Sequence, residues 1–216
     1  MSMAVVRANS AMRVCATLLA LATLAATTES RAADDIVLTP KRVSEHVWFF
    51  QGETGVASAA NKGFMSNAGF VVTNDGVIVF DALGTPALGR AIVAAIAAVT
   101  RAPIRRVIVS HYHADHIYGL QALKAAGAEI WAQRKAEIYL ASEVAQNRLA
   151  QRRAELYPWV DETTRIVPPD VWIEGDTDFR FGGLTFRIIY SGGAHSPEYI
   201  LVDVVGERVL VPGELP

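Results

Sequence analysis

The chain has 216 residues, 51% of them hydrophobic, with 22 acidic and 20 basic side chains and a net charge of −2. That length and apolar content suit one domain with a buried core, and the near-neutral charge excludes an electrostatic case for nucleic acid or an acidic surface as partner. A small-molecule substrate and protein partners are both left open.

The first segment reads as an export signal rather than as part of the fold. Arg7 and Arg13 give a positive start, Val14 to Ala26 is apolar or small throughout, and Ser30-Arg31-Ala32 offers a small-residue cleavage site. Residues 1–32 are therefore expected to be a signal peptide, and 33–216 the domain. The apolar stretch is too short for a comfortable membrane span, so no stable membrane association is expected after cleavage. A periplasmic or secreted location follows. The one cysteine, Cys15, leaves with the signal, and with it any disulfide or thiolate ligand.

Ile36 to Thr39 and Val47 to Gln51 are short β-rich runs. His46 stands beside the second without a partner motif and reads as a surface or core-edge residue. Gly52 to Ser66 is rich in Gly, Ala, Ser and Asn and reads as a loop. Ala68 to Thr73 and Val77 to Phe80 flank Asn74-Asp75-Gly76, a hairpin turn signal. Thr85-Pro86 opens a helix whose Leu88, Ile92, Ala95, Ile96 and Val99 recur at helical spacing. The apolar run Arg106 to Ser110 then predicts a buried strand, parallel to Val77–Phe80 because a helix joins them. Leu120 to Ala126 is a short helix closed by Gly127, and Glu129 to Ala132 a strand. Gln133 to Leu156 reads as one long helix, with Arg152 and Arg153 on a solvated face. Thr177 to Phe181 and Leu184 to Tyr190 predict a hairpin across Gly182-Gly183. Ile200 to Val204 and Arg208 to Val211 predict another, through Gly206.

The chemistry concentrates at the end of the Arg106–Ser110 strand, in His111-Tyr112-His113-Ala114-Asp115-His116. Three of the five histidines of the chain fall in these six residues. Neutral imidazole and carboxylate suit a divalent metal such as zinc, and also iron. In an extended segment, residues two apart point to the same side, so His111 and His113 can converge on one ion. Asp115 and His116, on the following turn, face a neighbouring volume.

This hexapeptide resembles the H-x-H-x-D-H signature of the metallo-β-lactamase superfamily. Asn67-Ala68-Gly69-Phe70-Val71-Val72 and Gly76-Val77-Ile78-Val79-Phe80-Asp81 resemble its paired strands ending in aspartate. Gly193-Ala194-His195-Ser196-Pro197-Glu198 resembles its G-x-H-[ST]-P segment. The match runs from about Val43 to the end of the chain, and is most similar to periplasmic zinc hydrolases associated with sulfur-oxidation and quinoprotein systems.

The resemblance implies an α/β fold, the αββα sandwich of two mixed sheets flanked by helices, here incomplete at the C-terminus. It implies that Asp81 is buried and positions the histidine loop, and that the loop before Asn67 flanks the metal cleft. It makes His195 the third histidine of a zinc site with His111 and His113, leaving one position open as catalytic sites do. Asp115 would accept a hydrogen bond from the zinc-activated hydroxide, or bind a second zinc together with His116. Glu214 stands where the family usually supplies an aspartate or cysteine to that second site. One zinc is expected firmly and a second is left open. The implied activity is zinc-dependent hydrolysis of an ester, thioester, amide or lactam, or phosphoester. The alternatives are a truncated chain that only binds metal and an iron-dependent redox relative.

Overall fold

The computed structural model describes residues 36–213. The signal segment 1–32, the start of the domain at 33, and Glu214 lie outside the described residues.

Seven strands form the first sheet in chain order: β1 (Lys41–Arg42), β2 (Val47–Phe50), β3 (Ala68–Thr73), β4 (Gly76–Phe80), β5 (Ile104–Ile108), β6 (Glu129–Gln133) and β7 (Val171–Ile173). The first four pair antiparallel, and β4 to β7 pair parallel. The parallel half follows from its connections, because helices join each strand there to the next. They are α1 (Pro86–Val99), α2 (Ala114–Ile117) and α3 (Leu120–Ala125), then α4 (Ala136–Leu140) and α5 (Glu143–Glu155). The Thr85 hydroxyl caps α1 by accepting from Leu88 N–H at 3.2 Å, and Pro86 follows where its missing N–H costs nothing.

The second sheet is an antiparallel meander of β8 (Thr177–Phe181), β9 (Leu184–Tyr190), β10 (Ile200–Val205) and β11 (Val209–Val211). Alternation explains how the two sheets meet. Ile78, Phe80 and Ile108 on the first sheet face Phe186, Ile188, Ile200, Val202 and Val204 on the second, forming one buried cluster. The intervening Val77, Val79 and Val107 are equally buried on the opposite face, the side that helices cover in such a layered fold. There α3 contacts β5 and β6, and α1 packs against α3. The sheets are also laced at their turns, where Asn74 N–H donates to Gly182 O at 3.1 Å and Gly182 N–H to Asp75 Oδ2 at 3.1 Å. Among the described residues, no helix follows β7.

Four expectations need correction. Ile36–Thr39 forms no strand; Ile36 and Leu38 tuck inward while Val37 is 86% exposed, so the alternation is real but no neighbour completes a ladder. Val99 is exposed: it shares the stripe of Ile92 but is the last residue of α1, beyond Ile96 where the buried face ends. The single long helix over Gln133–Leu156 is two helices: Gln133 ends β6, and Ser142 adopts extended backbone (φ −90°, ψ 152°) while its hydroxyl donates to Tyr139 O at 2.6 Å. Arg153 is not on a solvated face, since its guanidinium donates to Asp161 O and Thr164 O at 2.9 and 2.8 Å.

Helix α1 approaches the site loop at two glycines. A Cβ on Gly119 would collide with Ala82 O, and one on Gly89 with Gly119 O. Both contacts are with backbone, which cannot swing aside. Gly119→Ala is therefore expected to cost roughly 1–3 kcal/mol, the usual range for overpacking, measured by urea denaturation. A wild-type midpoint would show that the loop has slack.

Candidate metal centre

Strand β5 ends at Ile108, and the chain leaves its carboxyl end as Val109-Ser110-His111. The edge of an open α/β sheet at this end is where ligand sites form. His111 is buried, whereas His113 and His195 are exposed. His113 sits with extended backbone just before α2, and Asp115 and His116 occupy that helical turn. His195 comes from the other sheet, on the loop between β9 and β10. That loop turns at Gly192 and Gly193, both at positive φ (46° and 74°), where a side chain would be strained. Gly193 N–H and Tyr199 N–H then both donate to Ser196 O at 3.2 Å.

The three imidazoles meet. One ligand nitrogen from each lies within 4.8 Å of the others, and the ring centroids are 4.5 to 4.8 Å apart. His195 Nε2 is 3.0 Å from His113 Nδ1. Two imidazole nitrogens sharing a tetrahedral zinc at ordinary bond lengths would be about 3.3 Å apart, so the spacing fits a shared ion. Beside them the Asp115 carboxylate keeps Oδ2 buried without a hydrogen bond, 3.4 Å from His116 Nε2.

Asp81 organises this loop from beneath. Its carboxylate, 2% exposed, accepts from Ser110 N–H and from Ser110 Oγ, each at 2.7 Å, and from His116 Nδ1 at 2.9 Å. The residue itself adopts left-handed backbone (φ 58°), which costs a non-glycine residue roughly 1–3 kcal/mol. Since the Ser110 hydroxyl gives its proton to Asp81, it must accept from His111 Nδ1, 2.9 Å away. The network thus assigns the Nδ1–H tautomer to His111 and leaves its Nε2 lone pair for an ion. Further bonds tie the two ligand loops together: Ile200 N–H donates to Ser110 O at 3.0 Å, and Tyr112 N–H to the buried Glu198 carboxylate at 3.1 Å.

A profile of the metallo-beta-lactamase superfamily matches residues 61–215 of this sequence. The chain belongs to the metallo-beta-lactamase superfamily. Solved structures agree on the fold. A metallo-beta-lactamase from Pontibacter korlensis superposes with a TM-score of 0.59 at 19% identity, over 80% of this chain and 69% of that one. One from Hirschia baltica gives 0.56 at 23% identity, over 81% and 70%. A stereoselective inverting sec-alkylsulfatase from Pseudomonas sp. gives 0.58 at 17% identity, over 78% of this chain but only 30% of that one. The chain thus spans about two thirds of these lactamases and less than a third of the sulfatase.

Within this superfamily member the site's electrostatics favour cation binding. Burial, then the neighbouring rings of His116, His113 and His195, push His111 down to about 2, so its ring is neutral at physiological pH. Burial pushes the Asp115 carboxyl up, but the adjacent His116 ring outweighs it and holds the group below the ordinary aspartate value. Neutral imidazoles and an ionised carboxylate are the donor forms a divalent metal requires.

Of the sequence-predicted site residues, His111, His113 and His195 come together, with Asp115 and His116 alongside. Gly213 runs against Ser110, where a Cβ would lie 2.8 Å from the hydroxyl, and Glu214 after it is outside the described residues. His46 is elsewhere. Its Nδ1 lies 2.7 Å from Glu207 Oε1, in a separate grouping with Glu45. Sequence reasoning missed Ser110 and Glu198. Ser110 lay in plain view between a strand and the first histidine, where a hydroxyl has an obvious local acceptor; nothing in the sequence pointed to Glu198 as the brace for Tyr112.

Proposed function

We propose that this chain is a zinc-dependent hydrolase using His111, His113 and His195 as its metal ligands. The observation that carries the reading is the convergence of three imidazoles from two different sheets beside an ionised carboxylate. Three protein ligands leave a coordination position open, the arrangement of catalytic rather than structural zinc sites. When bound, zinc supplies a Lewis acid and a nucleophile that forms at neutral pH.

The chain's own groups do the rest. Asp115, with one buried oxygen uncommitted, orients the attacking water and accepts its hydrogen bond. His116, fixed through Nδ1 by Asp81, holds Asp115 ionised and aimed. The open flank beside His113 admits an ester, thioester, amide, lactam or phosphoester. The reading includes export of the domain from about Ala33 onward, supported by the charged start, apolar stretch and small-residue site at the head of the sequence.

The stoichiometry is expected to be one tightly held zinc. At this centre, beyond the three histidines, the described residues offer a second ion only Asp115 and His116. The test takes protein from the periplasmic fraction, dialyses it, and measures its metal and mass. One equivalent of zinc is expected, on a chain starting near residue 33. Hydrolysis of at least one nitrophenyl ester, thioester, lactam or phosphodiester should vanish on chelation and return with zinc. Two equivalents of zinc would show a dinuclear site, iron in its place would favour redox chemistry, and metal without any hydrolysis would leave a binding protein.

A further inference from the structure

Ile138 in α4 and Val144 in α5, on either side of Ser142, are 73% and 62% exposed. Bulky apolar side chains gain by leaving water. Both line one cavity of about 580 Å³, whose other wall is His113, Asp115 and Ser196. The cavity therefore opens directly on the histidine centre.

Its charged lining is lopsided. Lys135, Arg148 and Arg152 contribute three cations, against the carboxylates of Asp115 and Glu198. Both carboxylates have close neighbours: His116 Nε2 lies 3.4 Å from Asp115, and Glu198 accepts from Tyr112 N–H. Arg152 is paired with Glu155 at 2.7 Å. Arg148 donates to the neutral Gln151 at 3.1 Å, and Lys135 to the Tyr190 hydroxyl at 2.5 Å. Among the described residues, neither forms an ion pair. The Ser196 hydroxyl, also on the wall, is buried and makes no hydrogen bond there. A pocket with an apolar floor, two cations outside any ion pair and an uncommitted donor is complementary to an anion with a hydrocarbon portion.

We infer that the α4–α5 wall is the substrate pocket of this site and takes an amphiphilic organic anion, its hydrocarbon part on Ile138 and Val144 and its carboxylate, sulfonate or phosphate on Arg148 with Lys135. This rests on the hydrolase reading for the identity of the occupant as substrate. Arg148 is the specificity determinant, because guanidinium pairs with an oxyanion through two parallel N–H donors. Val144 and Ile138 set the preference for chain length.

Titration calorimetry on the zinc-loaded protein tests this with 1-octanesulfonate, octanoate and octyl phosphate, and with octanamide as the neutral control. Arg148→Gln should weaken the tightest of the three anions roughly tenfold or more, as expected for a hydrogen bond to a charged group, and leave octanamide unchanged. Val144→Ser should shrink the gain in affinity from butanesulfonate to octanesulfonate several-fold while keeping the dependence on Arg148. Both positions are exposed, and unchanged thermal melting will show that the variants fold. Anion affinities equal in wild type and Arg148→Gln would place the anion on the metal alone and overturn the inference, as would octanamide binding as tightly as the anions. Hydrolysis separates this from the parent reading. Turnover of neutral 4-nitrophenyl butyrate without any Arg148-dependent preference for mono-4-nitrophenyl glutarate rejects the anion pocket and keeps the hydrolase. Anion binding that depends on Arg148 in a chain with no hydrolytic activity rejects the hydrolase and keeps the pocket.

Discussion

His113→Ala is expected to abolish metal retention and hydrolysis together, whereas His46→Ala should leave both close to wild type. His113 supplies one of three converging nitrogens, and its ring lies 4.5 Å from His111 and 4.8 Å from His195 by centroid. Two donors remain after the change, and water competes for the other positions. Loss of a mere supporting hydrogen bond costs about 10–100-fold in metal affinity, so removal of a ligand should exceed that range. The comparison with His46 matters because Glu45, His46 and Glu207 also bring donor atoms within 4.8 Å. That grouping joins the β1–β2 turn to the β10–β11 turn, and His46 and Glu207 satisfy each other. Partly exposed pairs of this kind contribute at most about 1 kcal/mol. Zinc measured after dialysis decides the matter: loss on His46→Ala with retention on His113→Ala would move the metal to the other end of the molecule.

Asp81→Ala should be the most destabilising single change outside the hydrophobic core. It strands three buried donors at once: Ser110 N–H, the Ser110 hydroxyl and His116 Nδ1–H. Each buried group left unsatisfied costs about 1–3 kcal/mol, so a loss on the order of 3 kcal/mol or more is expected. The site should suffer with the fold, because freeing Ser110 and His116 releases the tautomer of His111 and the aim of Asp115. A fall of about 10–100-fold in zinc affinity follows. Asp81→Asn should be intermediate, since its carbonyl can still take one or two of the donors while its amide repels the third. Denaturant unfolding and competitive zinc titration measure the two effects. Asp81→Ala within about 1 kcal/mol of wild type would mean that water replaces the carboxylate.

Much of this was legible from the residues, and for local reasons. Strands β3, β4, β8, β9 and β10 alternate or run apolar between strong turn signals, so their pattern needs no distant partner to be read. The hexapeptide declares its chemistry because three imidazoles in six residues have little other use. What escaped depended on tertiary contact. Val171-Trp172-Ile173 is too short to announce itself and becomes β7 only because β6 offers an edge. Ile36–Thr39 carries a strand's pattern and finds no edge. The break at Ala141-Ser142 is invisible in a stretch of good helix formers; it appears where Ser142 bonds back to Tyr139 rather than continuing the ladder. The link between His111 and Asp81 through Ser110 was likewise hidden, because sequence shows which residues are adjacent and not which way a hydroxyl points.

The three converging histidines are divided between the two sheets: His111 and His113 leave the end of β5, and His195 lies between β9 and β10. An ion held by all three is therefore a crosslink closing a loop of about 80 residues, and closing a loop that long restricts the unfolded chain much as a disulfide does, by roughly 4 kcal/mol in the chain-entropy account. In a protein whose mature part is expected to have no cysteine, the cation takes over the role of a covalent staple. Its affinity and the docking of the two halves are then one equilibrium, read from either side. A substitution far from the histidines that loosens the packing of Ile78 against Ile188 will register as weaker metal binding. Metal withdrawn by a chelator will register as susceptibility to proteases along the seam between the sheets.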